Sequence, residues 1–168
     1  MKNILIVDAY NAIQRTKEFF PALDASLEAA RAAFVDRINR YIAKKHTFDE
    51  IIAAFDAAAN KTEESRRTRC GAVTVIFSSF GESADDLIKS LIKENADSCR
   101  ITVVSDDNYV INNSRALGAA VMTCKAFMDS IGVRDAESKQ QPSVDEKGLD
   151  AKAKADINEQ LKKEWNIG

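Results

Sequence analysis

At 168 residues, 45% hydrophobic and 30% charged with a net charge of −2, the chain has the size and composition of a single soluble globule with one core. No apolar run approaches the roughly 20 residues of a membrane span, and the apolar start at residues 4–7 stops at Asp8, too soon for a signal-peptide core. Three scattered cysteines, Cys70, Cys99 and Cys124, and a single histidine, His46, argue against zinc and against His-based catalysis, and fit a reduced, cytoplasmic protein.

The first strand is expected over residues 1–7 and ends at Asp8. A short helix follows over 10–17, opened by Asn11. Pro21 and Asp24 then start a long helix over 25–45. Its apolar residues Leu27, Ala30, Phe34, Ile38, Tyr41 and Ile42 recur at three-to-four spacing, so one face is buried. The second strand, 51–55, runs into Asp56. Lys61, Arg66, Arg67 and Arg69 follow in a loop diluted by Glu63 and Glu64, either a solvated surface or a contact for phosphates. A strand over 73–77 leads to a helix capped by Ser83, with Leu87, Ile88, Leu91 and Ile92 as its buried stripe. The near-continuous apolar strand 101–105 suits a sheet covered on both faces. A helix over 108–117 stops at Gly118, a short fifth strand spans 119–122, and a last helix covers 124–131 and ends at Gly132. These elements define a domain over 1–133. Residues 134–168 read as a linker containing Pro142 and a charged helix over 145–165. Its thin stripe of Leu149, Ala153, Ile157, Leu161 and Trp165 would dock on the domain or on a partner.

Alternating strands and helices make an α/β fold with a mainly parallel sheet of about five strands. No Gly-x-Gly-x-x-Gly follows the first strand, so a dinucleotide-binding site is a poor fit. The carboxyl ends of parallel strands share one edge, where ligands bind. Asp8, Asp56, the pair Asp85 and Asp86, and the pair Asp106 and Asp107 all fall there. Asp8, Asp85, Asp86, Asp106 and Asp107 have a simple alternative as helix caps, since acids favour the positive end of the helix dipole. Asp86 lines up with Lys89 and Lys93 toward solvent, whereas Asp85 lines up with Ile88 and Ile92 at the buried edge. Converging carboxylates need a cation, and all-oxygen ligands suit one or two Mg²⁺ or Mn²⁺ ions. The expected metal ligands are Asp8, Asp85 and Asp106, with Asp56 or Asp107 assisting. Such a metal supports phosphodiester hydrolysis, and the basic loop would then hold a strand by its phosphates.

On ILIVDAYNAI at 4–13, FDA at 55–57, VIFSSFGESADD at 75–86, VVSDD at 103–107 and ALGA at 116–119, the chain resembles the YacP-like branch of the NYN domain family, within the PIN-like nucleases. The resemblance implies a three-layer α/β/α PIN-like fold and metal-dependent endoribonuclease activity on single-stranded RNA. It places catalytic roles on Asp8, Asn11, Asp56, Asp85 and Asp106, with Asp107 adjacent. One departure is Ala9, where the family motif has glycine. A methyl group there is expected to narrow the approach to the site, or to alter the backbone if that glycine uses a positive φ. Two other readings stay open: a non-catalytic RNA-binding relative, and a receiver-like signalling domain, which would use Lys125 after the last strand.

Overall fold

Alternation along the first strand divides the core in two. The computed structural model describes residues 1–57 and 67–137, the last five as backbone alone. In β1 (Lys2–Asp8), Leu5 and Val7 face one side of the sheet and Ile4 and Ile6 the other. The first side is covered by α1 (Ala9–Arg15), by α3 (Leu27–Ile42) through Phe34 and Ile38, and by α6 (Cys124–Glu137) through Phe127. The second is covered by α4 (Ala84–Asn95) through Ile88 and Ile92, and by α5 (Asn108–Ala116) through Val110. A strand buried on both faces has no polar side to show, which explains its unbroken apolar run.

The remaining strands are β2 (Glu50–Phe55), β3 (Arg67–Cys70), β4 (Val73–Phe77), β5 (Cys99–Val104) and β6 (Ala120–Met122). Six strands lie in the order β3-β4-β2-β1-β5-β6, all parallel except β3, which pairs antiparallel with β4. Counting only the parallel strands, the order is third, second, first, fourth, fifth. Connections therefore leave β1 and β5 in opposite directions, and the crevice outside their carboxyl ends is the topological switch point. A receiver-like fold has its second strand at the edge beside its first, so this order removes that reading.

Several boundaries differ from the sequence expectations. Pro21 sits in the first turn of a separate short helix, α2 (Phe20–Ala25), reached through a 3-10 turn at Lys17–Phe19. Ser26, whose Oγ accepts from the Ala29 amide at 2.9 Å, opens α3 instead. Asn11 does not cap a helix, because Asp8 already occupies the N-cap position of α1. Gly132 does not end α6, which runs on to Glu137. The extra strand β3 replaces part of the expected basic loop. The charged helix expected at 145–165 lies outside the described residues, as do Lys61 and Arg66.

Candidate active site

At the switch point, Asp8 ends β1 and is only 7% exposed. Ser105, fully buried at the end of β5, donates from Oγ to Asp8 Oδ2 at 2.9 Å. The same Oγ accepts from the Asp107 amide at 3.1 Å and so shapes the turn into α5. Asn11, one helical turn after Asp8, accepts the Asp106 amide on Oδ1 at 2.8 Å. The Cys124 thiol also donates to this oxygen, at 3.3 Å. With Oδ1 so engaged, the Nδ2 end of Asn11 is the one able to donate toward a ligand.

Most of the other acids have a structural task. Asp56 accepts the first amide of α4, from Ala84. Asp86 is exposed, bonded to Ser83 Oγ at 3.0 Å and to Lys89 Nζ at 2.6 Å, and these partners hold its carboxyl below the usual range. Asp106 accepts the first amide of α6, from Cys124, at 2.9 Å. Asp107 caps α5, taking the Tyr109 amide at 2.7 Å and the Val110 amide at 3.3 Å. Asp8 and Asp85 are different. The side chain of Asp8 makes no capping bond to α1, and the α4 cap is supplied by Ser83.

Electrostatics separate the same two residues. Burial pushes the Asp8 carboxyl up to about 6; the Ser105 bond opposes the rise, and the charges of Asp85, Asp56 and Asp107 add to it. The Asp85 carboxyl is raised first by burial, then by Asp107, Asp56 and Asp86, with Lys89 opposing. Four acids from four strand ends thus act on one another. Asp106 acts instead on Cys124, whose thiol is pushed up to about 12, mainly by burial and then by Asp106 and Asp8. The structure therefore joins Asp8, Asp56, Asp85 and Asp107 in one field and turns a carboxylate oxygen of Asp106 toward the start of α6.

The donor chemistry is all carboxylate and amide oxygen, as a hard divalent cation requires. Among the described residues no three acidic, histidine or cysteine side chains already stand as a closed ligand set. Asp85 is half-buried, and Asp107 is exposed with its Oδ1 held by the amides of Tyr109 and Val110. Ala9 does not narrow the approach. Its side chain is fully buried in the core, and no residue other than glycine has a positive φ among the described residues.

Arg67 and Arg69 stand on the edge strand β3, with β4 and β2 between it and β1. Arg67 pairs with Glu50 at 3.5 Å, at the amino end of β2, and Arg69 donates to the Gly71 carbonyl at 3.2 Å. Lys125 pairs with Asp129 along α6 at 2.6 Å and not with an acid of the crevice. Sequence reasoning missed Ser105, Ser78 and Cys124. Ser78, at 1% exposure, accepts the Ala57 amide on Oγ at 2.9 Å and anchors the Asp56 loop. Their one signal was position, directly after a buried strand or at a helix start.

Comparison with known proteins agrees with this architecture. The fold is similar to crystal structures of Rae1 (YacP) from Bacillus subtilis. One gives a TM-score of 0.61 at 23% identity, covering 98% of this chain and 92% of that one. A single-residue mutant of the same protein gives 0.64 at 20% identity, covering 95% and 90%. Among curated proteins, none matches. The family model of the YacP-like NYN domain matches residues 5–166, and the match includes the tail that no sequence motif covered. On that match the chain belongs to the YacP-like NYN domain family, a nuclease-type, RNA-related domain.

Proposed function

We propose that this chain is a metal-dependent endoribonuclease that cuts unpaired RNA at the crevice between β1 and β5. The observation that carries this reading is Asp8. A carboxylate is buried there without capping a helix, in the field of Asp56, Asp85 and Asp107. Perturbed acids that no local structure requires mark functional sites.

Asp8 and Asp85 would hold Mg²⁺ or Mn²⁺, with Asp107 and Asp56 assisting. When bound, such an ion lowers the pKa of its water and neutralises charge on the phosphoryl group. Ser105 fixes Oδ2 of Asp8, so Oδ1 is the oxygen that would serve an ion. Asn11 donates from Nδ2 to a phosphate oxygen or to the attacking water. Asp106 acts as a positioning residue: its carboxylate holds the start of α6 and its amide fixes Asn11. Lys61 and Arg66 remain the proposed phosphate contacts of the basic segment.

The test is a panel of end-labelled single-stranded RNAs, incubated with and without Mn²⁺ or Mg²⁺, with the cut ends mapped. Internal cuts that need the metal are expected. Asp8→Asn should abolish most of them, with an unchanged far-UV circular dichroism spectrum. Wild-type rates in that variant would sink the mechanism. Binding without cutting would favour a non-catalytic RNA-binding protein.

A further inference from the structure

We propose that Phe80 and Tyr109 form a stacking rim beside the acidic crevice, on which bases of an unpaired RNA strand lie. The proposal rests on the reading of the site as an RNA-cutting one and concerns how the strand is held.

Phe80 is 83% exposed and Tyr109 57% exposed. Leaving an aromatic ring in water forgoes the stabilisation its burial would give. Nothing in the local backbone requires a ring at either place. Phe80 stands at the tip of a turn closed by the Glu82 amide on the Ser79 carbonyl at 3.0 Å, and by the Ser79 amide on Glu82 Oε2 at 2.9 Å. Gly81 takes φ +79 there, as the third residue of a type II turn does. The turn is fixed at both ends. The Ser78 amide bonds the Phe55 carbonyl at 2.9 Å, and Ser83 caps α4. A loop anchored at both ends thus presents the ring to solvent, between β4 and the helix that carries Asp85.

Tyr109 sits in the first turn of α5, two residues after Asp107 and tied to it through its amide. Lys89 Nζ lies 5.5 Å from its ring centroid. That contact brings a positive charge to one side of the ring, and the exposed remainder is open to a base. The rings therefore stand at the entries to the two helices, α4 and α5, whose starts carry Asp85 and Asp107.

The chemistry selects bases as the occupant. Without a cation the acids of the crevice repel phosphate, and the described arginines of β3 are engaged elsewhere. Affinity for a polyanion beside such an edge is best supplied by neutral faces. Stacking on aromatic rings does this, tolerates any sequence and requires unpaired bases.

The test measures fluorescence anisotropy of a fluorescein-labelled oligoribonucleotide, the same strand with abasic sites, and its duplex. All proteins carry Asp8→Asn so that the probe is not consumed. Phe80→Ala and Tyr109→Ala should each weaken binding of the intact strand about five-fold or more. Phe80→Trp should restore it, and the abasic strand should bind weakly and ignore Phe80→Ala. Equal affinities in all variants, or an abasic strand that binds like the intact one, would overturn the rim while metal-dependent cutting by the wild type still stood. Absence of both binding and cutting would remove the rim and the RNA-cutting reading together. Sedimentation of the same proteins adds one more outcome: a dimer abolished by Phe80→Ala would make this surface a contact between copies and overturn the proposal.

Discussion

Asp8 carries a charge that its surroundings resist, and this makes a prediction about stability as well as activity. Its carboxyl titrates at about 6 instead of 3.8. Between those values the folded chain binds this proton more tightly than the unfolded one. Stability from this group therefore falls as pH rises from about 4 to about 6, and stays reduced above that. The difference amounts to at most about 3 kcal/mol. Asp8→Asn removes the charge and keeps an oxygen to accept from Ser105. In chelator the variant should melt higher than wild type at neutral pH, and the gap should shrink as pH falls below about 6 and close below about pH 4. Thermal unfolding across pH measures this; equal melting at every pH would mean that the Asp8 charge is already compensated. The site was partly legible at this scale. An acid directly after an apolar run stands at a strand end, which found Asp8 and Asp56, and helical spacing separated Asp85 from Asp86. Spacing alone does not say which of two adjacent acids faces the crevice. The turn held by Ser105 decides that for Asp106 and Asp107, and a serine at a strand end gives no warning of it.

Among the elements, β3 shows what a pattern-based reading cannot see. Its four residues, RTRC, are exposed except for the last. A short polar edge strand has no apolar alternation to detect. Its hairpin with β4 is instead fixed from outside. Asn39 of α3 donates from Nδ2 to the Cys70 carbonyl at 2.9 Å and accepts the Ala72 amide on Oδ1 at 2.9 Å. Between them Gly71 takes φ +67, and a Cβ there would stand 2.7 Å from Asn39 Oδ1. Gly71→Ala should therefore cost about 1–3 kcal/mol through its backbone alone. Because the added methyl also displaces Asn39, Gly71→Ala and Asn39→Ala should together cost less than the sum of the two. Urea midpoints of the four proteins give the answer. An unchanged midpoint in Gly71→Ala, or strict additivity, would show that the turn is not clamped in this way. The long elements were legible because α3 and α4 bury one stripe and β1 carries an unbroken apolar run over residues 4–7.

For the whole molecule, alternation of strands and helices was enough to read a parallel α/β sheet, but not the order of its strands. That order depends on which side of β1 each connection takes, and no local pattern records it. It matters because it brings β1 beside β5 and gathers the acids at one rim. The fold itself rests on two apolar layers, on either side of the sheet, neither of which contains the acids of that rim. Removing metal should therefore abolish cutting and leave the protein folded. Adding it should stabilise the folded state, because an ion that binds only the gathered carboxylates shifts unfolding by mass action, about 2.7 kcal/mol at a hundred times its dissociation constant. Asp85→Asn should weaken Mn²⁺ binding and shrink this shift. Asp86→Asn should leave the shift intact, since Asp86 is already held by Ser83 and Lys89 on the solvent side. Thermal unfolding of the three proteins over a Mn²⁺ series, each with a chelator control, compares them directly. No shift in the wild type would remove the metal from the site, and equal loss in the two variants would mean that the ion is held by general negative charge and not by the crevice.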